Sequence, residues 1–132
     1  MNILFFDTET TGFPDDRRPI EHDDQPYVVQ LAMMLCRDDG AMLDGFSVTI
    51  NNGVPIPQKV VDIHGISVEI AAEVGVKPRT ALGLFNHYSS RAGLFVAHNI
   101  KFAWHMMAIM QARGANVMPL GPKFCTMEAA AP

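Results

Sequence analysis

The chain has 132 residues, of which 48% are hydrophobic, and its formal net charge is −4. This length allows at most one domain with a buried core, and the composition excludes a disordered chain. The negative charge argues against a tight, general, non-enzymatic DNA-binding module. It is compatible with a metal-dependent enzyme, because divalent ions can lie between an acidic protein and a polyanion.

Two features of the sequence bear on its location. The apolar stretches, about ten residues at most, are too short to span a bilayer, and no basic segment precedes an apolar run with a small-residue cleavage site. We therefore expect no signal peptide and no membrane association. Cys36 and Cys125 are expected to be free buried thiols rather than a disulfide, which together predicts a cytoplasmic protein.

The first half of the chain reads as three strands. Residues 2–7 are short and apolar and predict a buried strand, which a polar loop follows at 13–26. A second strand is predicted at 27–36 and a third at 41–50. The intervening turn contains Asp-Gly, so the second and third strands should pair antiparallel as a hairpin.

The second half alternates helices with strands. A short helix is predicted after Pro57 with its end at Gly65, another is capped by Ser67, and a longer one covers 78–91. A fourth strand at 94–98 follows.

Asn99 is then expected to cap a helix over 100–113 that ends before Gly114. The core face of this helix should contain Phe102, Met106, Ile109 and Met110. Residues 123–127 predict a last strand running into a helix start, with Thr126 as a possible cap. The fold class is therefore α/β, with a mixed sheet of about five strands and helices on its faces.

The stretch FFDTETTGF, residues 5–13, carries the clearest chemical signal. Residues i and i+2 of a strand face the same way, so Asp7 and Glu9 should present two carboxylates on one side. Two such anions repel each other unless a cation lies between them, and oxygen ligands suit Mg²⁺ or Mn²⁺. Such ions can hold a phosphodiester and activate water.

Other interpretations of the acidic residues stay open at this point. Asp7 could cap a turn while Glu9 is merely solvated. A phosphatase of the haloacid dehalogenase type also carries paired acids after its first strand, but it requires D-x-D before a glycine-threonine turn. The acidic residues of loop 13–26 predict a solvated loop, and calcium binding there would lack the spacing of an EF-hand.

Five motifs in order resemble the DEDD-type 3′→5′ exonucleases (DnaQ-like), the group that contains the proofreading epsilon subunit of bacterial DNA polymerase III. FFDTETTGF is similar to the first motif of that family. The other four are VVQLAMM (28–34), DIHGIS (62–67), AHNIKFAWHMM (97–107) and FCTM (124–127). The resemblance covers nearly the whole chain.

This resemblance implies a ribonuclease-H-like fold and two-metal hydrolysis at the 3′ end of DNA or RNA. It implies two Mg²⁺ or Mn²⁺ ions in intact relatives, held here by Asp7 and Glu9. The implied partners are a single-stranded or frayed 3′ end and a DNA polymerase subunit. The residues implied to contact substrate are Thr10, Thr11, Gly12, His64, His98, Asn99 and Phe102.

The sequence departs from the family at two places. Ala103 occupies the position of the third carboxylate, and neither His105, which should face elsewhere on the helix, nor the soft ligands Met106 and Met107 can replace it. The family's last motif, a histidine followed by an aspartate, does not occur within the 132 residues, which we expect to be a single exonuclease-like domain without its C-terminal part.

We therefore expect the chain to be inactive or impaired. Three explanations fit: a fragment with a deliberate Asp-to-Ala change, a naturally decayed relative that binds without cutting, or an active protein completed by another chain or segment. The alternative function is a non-catalytic module, derived from an exonuclease, that binds a nucleic-acid end or a polymerase.

Overall fold

The computed structural model describes residues 1–130 and contains five strands and five helices in that part of the chain. The strands are β1 (Asn2–Thr10), β2 (Val28–Arg37), β3 (Met42–Thr49), β4 (Leu94–Ala97) and β5 (Lys123–Cys125). The helices are α1 (Gln58–His64), α2 (Val68–Val74), α3 (Pro78–Ser89), α4 (Ile100–Arg113) and α5 (Thr126–Ala130).

The strands form one mixed sheet in the order β3-β2-β1-β4-β5. The pairs β1/β2 and β2/β3 are antiparallel, whereas β1/β4 and β4/β5 are parallel. The predicted hairpin and the predicted mixed sheet of about five strands are thus confirmed. Strand β1 lies at the centre and continues to Thr10, three residues past its predicted end.

One face of the sheet carries the main core. Side chains alternate along a strand, so Leu4, Phe6 and Thr8 of β1 all point to this face, where α3 and α4 pack. The ring of Phe6 lies edge-on to Phe85 of α3, with centroids 5.7 Å apart. Phe85 and Phe95 are fully buried there. This packing leaves Asp7 and Glu9 on the opposite face.

The second face is covered only in part by residues 1–130. At the end of the sheet near Thr10, helices α1 and α2 cover a small cluster of Val29, Ile66 and Ala71. Elsewhere this face exposes apolar side chains. Cross-strand neighbours share a face, and the strand register therefore places these side chains on the same side of the sheet as Asp7. Met34, Met42 and Phe124 are 38%, 59% and 50% exposed.

Two predicted helix termini are confirmed. Gly65 follows α1 with a φ of 76°, a left-handed conformation that glycine adopts without strain. The Ser67 hydroxyl accepts a hydrogen bond from the Ile70 backbone N–H at 3.1 Å, as an N-cap should. Helix α1 thus spans the range that the sequence predicts, and α2 begins directly after its predicted cap.

Two predicted side-chain caps are wrong. Asn99 precedes α4, but it has a left-handed conformation (φ 56°) and its side chain makes no cap hydrogen bond. The sulfur of Cys125 accepts instead from the Ile100 N–H at 3.5 Å. Thr126 is itself the first residue of α5, and its hydroxyl contacts His98. At the start of α4, a tertiary contact from β5 thus takes the place of the local cap.

Helix α4 buries most of its predicted face. Met106, Ile109 and Met110 are buried, whereas Phe102 is only half-buried. Cys36 and Cys125 are both buried and free, as predicted. Among residues 1–130, no helix combines the length and apolarity that crossing a bilayer would require.

Candidate functional site

The carboxylates of Asp7 and Glu9 lie on the same face of the sheet, because β1 keeps its strand geometry through both residues. Asp7 is exposed and Glu9 is half-buried. Oδ1 of Asp7 accepts a hydrogen bond from the Thr8 backbone N–H at 3.0 Å. Gln30 of β2 is the cross-strand neighbour of Glu9 and shares this face. The two carboxyl groups predicted to share one face of the strand thus do so.

An open groove of about 260 Å³ runs beside Asp7. Strand β4 lies parallel to β1, so the residues that follow β4 meet the polar end of β1. His98 is exposed there, and its Nδ1 lies 3.0 Å from the Thr126 hydroxyl. Asp7, His98 and Thr126 all line this groove, whose floor includes Phe5 and Val96.

The turn after β1 is fixed by hydrogen bonds. The Thr10 hydroxyl donates to the carbonyl of Gly12 at 2.8 Å. Thr11 and Tyr27 are joined twice, from the Thr11 N–H to the Tyr27 carbonyl and from the Tyr27 N–H to the Thr11 hydroxyl, both at 3.0 Å. A Cβ added at Gly12 would meet no atom within 4 Å, so the space beside this residue is open.

His64 lies against this turn. Its Nε2 is 3.2 Å from the carbonyl oxygen of Thr10, and its Nδ1 accepts from the Ile66 N–H at 3.1 Å. Both ring nitrogens are therefore occupied by the protein backbone. The structure brings His64 to the site but gives it a contact with the turn rather than an unoccupied nitrogen.

An aromatic pair stands beyond Gly12. The ring of Phe13 packs on Phe102 of α4, with centroids 5.6 Å apart and planes inclined at 57°. Phe13 is nevertheless 85% exposed, which is unusual for a side chain of this size. The pair offers an exposed apolar ring next to the turn.

The loop 14–26 is fixed from within and from α4. The buried Gln25 side chain accepts from the Asp15 N–H and donates to the Asp15 carbonyl. Arg113, the last residue of α4, donates to the carbonyls of Pro26 (2.8 Å), Gln25 (2.6 Å) and His22 (3.0 Å). Its guanidinium also lies 3.6 Å over the Tyr27 ring.

Ala103 is buried, with 3% of its surface exposed, and belongs to the core cluster. Asp7 and Glu9 supply the hard oxygen donors that Mg²⁺ or Mn²⁺ prefers. Within residues 1–130, however, no group of three or more histidine, cysteine, aspartate or glutamate residues is placed to hold a metal. This donor set fits one weakly held ion and does not fit a fully coordinated pair.

His105 and the acidic residues of loop 14–26 are the other candidates for a role in metal binding. His105 is on the outer side of α4, 4.0 Å from Asp16, which agrees with its expected orientation. Two of the five acidic side chains in the loop, Asp15 and Asp24, pair with arginines. Asp15 pairs with Arg17 and Arg18, and the guanidinium of Arg17 lowers the pKa of Asp15 through a hydrogen bond.

Sequence reasoning missed four residues near the site: Phe13, Gln25, Arg113 and Cys125. Phe13 could have been found as an aromatic residue directly after the glycine of a polar turn. Gln25 and Arg113 act on backbone carbonyls and gave no local signal. The sulfur of Cys125 accepts hydrogen bonds from the backbone N–H groups of Glu128 and Ile100, and these bonds lower the pKa of the thiol.

Comparison with known proteins adds the family. The family model RNase_T, described as exonuclease, matches residues 4–131. No curated protein sequence shows a significant match.

Solved structures with the same fold include exonuclease X in complex with 5′ overhanging duplex DNA (23% identity, TM-score 0.67) and E. coli exonuclease I in complex with a dT13 oligonucleotide (13% identity, TM-score 0.79). The match covers 97% of this chain in both cases, but 61% of the first protein and 28% of the second. A moderately thermophilic exonuclease I from Methylocaldum szegediense has 17% identity and a TM-score of 0.76, over 96% of this chain and 28% of that one.

These chains share the mixed five-stranded sheet with helices, and the expected ribonuclease-H-like fold is thereby confirmed. The chain spans less than two thirds of the length of these structures. The family match, in contrast, includes β1 with both carboxylates and extends through β5. The chain belongs to the exonuclease family.

Proposed function

We propose that residues 1–132 form a single exonuclease-type domain that binds the 3′ end of single-stranded or frayed DNA, or of RNA, beside Asp7 and Glu9. Hydrolysis by this chain is absent or severely impaired. The observation that carries the proposal is the placement of both carboxylates on one face of β1, beside an open turn, while the third carboxylate position is the buried Ala103.

A divalent ion, Mg²⁺ or Mn²⁺, is part of this proposal. Asp7 and Glu9 would hold it through their carboxylate oxygens. Such an ion supplies an activated water and charge stabilisation for phosphodiester hydrolysis. The chain would supply the remaining contacts: the turn at 10–12 would meet the terminal nucleotide through backbone and hydroxyl groups, His98 lines the groove, and Asn99 follows His98 in the chain.

The aromatic pair gives the terminal nucleotide a second contact. Every nucleobase has a π-face, so stacking on Phe13 and Phe102 would be tolerant of sequence. The exposure of Phe13 supports this role, because a ring that only stabilised the fold would be covered. Removal of nucleotides in the 3′→5′ direction follows if the 3′ terminus occupies the groove beside Asp7.

Two further parts of the proposal concern the protein partner and the cellular compartment. A DNA polymerase subunit is the protein partner implied by the family resemblance. The cytoplasm is the compartment we propose, because Cys36 and Cys125 are both free thiols, as expected in a reducing environment.

The test is degradation of a single strand with an internal label by Ala103→Asp, run beside the unaltered chain and Ala103→Asn with Mn²⁺. We expect cleavage from the 3′ end by the aspartate variant and none by the other two. A double variant, Asp7→Ala with Ala103→Asp, should be silent. Cleavage by the unaltered chain that is lost in Asp7→Ala would contradict the proposed impairment.

Stability measurements make the result interpretable. A buried carboxylate without a partner costs about 1–3 kcal/mol or more, so Ala103→Asp should unfold earlier than Ala103→Asn in EDTA. Mn²⁺ should then raise the midpoint of the aspartate variant more than that of the asparagine variant, because a ligand that binds only the folded state stabilises it. Equal responses to Mn²⁺ would show that position 103 does not face the metal.

A further inference from the structure

A second cavity lies on the opposite face of the sheet from Asp7. It is bounded by α3, the C-terminal half of α4 and the start of β2, and its volume is about 470 Å³. That volume falls in the range of small-molecule sites, roughly 300–1,000 Å³. The cavity shares no lining residue with the groove beside Asp7.

The interior wall of this cavity is apolar. Val28, Leu82, Met106 and Met110 are all buried side chains that line it. Methionine sulfur and methyl groups pack favourably against aromatic rings and adapt to their shape. The wall therefore suits a flat, largely apolar body.

The polar lining is cationic or neutral. Arg79 and Arg113 line the cavity together with Asn52 and Asn116, and no acidic side chain does so, although the chain as a whole carries a net charge of −4. Arg79 is exposed in the first turn of α3 and can turn toward a bound anion. Complementarity of charge therefore favours a ligand with an anionic group.

Arg113 would attract an anion in the cavity electrostatically and would not donate a hydrogen bond to it from its terminal nitrogens. Its terminal nitrogens already donate to backbone carbonyls, and its Nε is buried without a hydrogen-bond partner. Burial lowers the pKa of this guanidinium, since removal from water disfavours its charge. An anion in the cavity would offset part of that cost.

We propose that this cavity binds a nucleoside 5′-monophosphate, with the base against Met106 and Met110 and the phosphate toward Arg79. The choice of a nucleotide rests on the proposed function, whose product is of this class. The cavity itself calls for an anionic group on a flat apolar body. Helix α4 carries this cavity near its C-terminal end and Phe102 near its start, so the product would be retained on the element that contributes to the aromatic pair.

The experiment is a calorimetric titration of thymidine 5′-monophosphate into the full chain in EDTA, which removes any metal from Asp7 and Glu9. We expect saturable binding that Arg79→Glu weakens by at least about tenfold. Arg91→Glu is the matched control, because Arg91 is also exposed, follows the end of α3 and does not line the cavity. The affinity of Arg91→Glu for thymidine 5′-monophosphate should stay within about twofold of that of the unaltered chain.

Further arms separate the two sites and the parts of the ligand. Asp7→Ala should bind the nucleotide unchanged, and Met110→Trp, which fills the cavity, should abolish binding while circular dichroism reports the fold. If Met110→Trp unfolds, the inference is tested by the effect of Arg79→Glu on nucleotide binding alone. Thymidine and inorganic phosphate should each bind at least about tenfold more weakly than the nucleotide.

Two results would overturn the inference: no saturable binding, or binding that is lost in Asp7→Ala and kept in Arg79→Glu. The second result would place the nucleotide beside Asp7. Failure of the proposed function would look different, because a chain without affinity for 3′ ends would still bind the mononucleotide through Arg79.

Discussion

The imidazole of His64 bonds to the carbonyl oxygen of Thr10 across 54 residues of sequence, with 3.2 Å between Nε2 and the oxygen. The Ile66 backbone N–H donates to Nδ1 of the same ring, so the ring proton is assigned to Nε2, which donates to Thr10. His64 thus links the turn after β1 to the end of α1 through both ring nitrogens.

Substitutions at position 64 can separate its two contacts. His64→Gln keeps a side-chain donor for Thr10, whereas His64→Asn keeps an acceptor for Ile66 and loses the bond to the turn. We expect His64→Asn to weaken binding of a labelled single strand more than His64→Gln, as measured by fluorescence anisotropy. Each lost hydrogen bond should lower the free energy of unfolding by about 0.5–1.5 kcal/mol. A larger loss of affinity in His64→Gln would mean that the contact with Ile66 matters more.

Replacing Phe13 tests the aromatic pair. Phe13→Ala should reduce affinity for a single strand by about tenfold, because stacking of one base contributes about 1–3 kcal/mol. Phe13→Trp should retain affinity. The free energy of unfolding should hardly change, since the ring is 85% exposed. Phe124→Ala removes another exposed phenylalanine from β5 and serves as the control; an equal loss of affinity there would argue against a specific role for Phe13.

Replacing Arg113 tests how the loop 14–26 is held. Arg113→Met keeps the apolar stem but removes three hydrogen bonds to carbonyls and the contact with the Tyr27 ring. We expect the free energy of unfolding to fall by about 2–3 kcal/mol. Trypsin should also cut faster after Arg17, which lies in that loop. Arg91→Met is the control, and similar cleavage rates in both variants would show that Arg113 does not restrain the loop.

The contact between Tyr88 and Asp44 predicts a pH dependence. The Tyr88 hydroxyl donates to Asp44 at 2.6 Å, which lowers the pKa of Asp44 from 3.8 and raises that of Tyr88 from 10.0. The Asp44 contribution is present above pH 3.8 and is lost as the pH falls through its lower folded pKa. The Tyr88 contribution is present below pH 10.0 and is lost as the pH rises through its higher folded pKa.

Urea unfolding of the unaltered chain and Tyr88→Phe should therefore differ most between these two limits. The difference in free energy of unfolding should shrink in acid and again in strong base. The measurements should cover the range from about pH 3 to about pH 11. A difference that stays constant over this range would show that the hydrogen bond contributes nothing in solution.

The sheet was predictable because its signals are local. Apolar alternation and the Asp-Gly turn located β2 and β3 to within a residue or two, and the spacing of Asp7 and Glu9 placed both carboxylates on one face. The end of β1 was predicted wrongly, because the apolar run stops before the strand does. The segment from Thr8 to Thr10 looks polar in sequence, but pairing with β2 keeps it in the strand.

The remaining features depend on contacts between distant segments. Asn99 has the right chemistry for a cap, yet the sulfur of Cys125 occupies that role because β5 lies beside β4. The alignment of Phe13 with Phe102 arises only when α4 packs on the sheet. The family motif indicated that His64 belongs near the site, but its engagement of both ring nitrogens required the fold.

The central position of β1 has a consequence for motion. Strand β1 pairs with β2 along its length but with β4 only at residues 3–5, and its buried side packs on α3 and α4. The amides of residues 3–5 can therefore exchange with deuterium only when the sheet comes apart, whereas the Thr8 amide beside Asp7 bonds to a carboxylate and can exchange by local opening. An ion or strand bound at Asp7 would consequently slow exchange first at this end of β1.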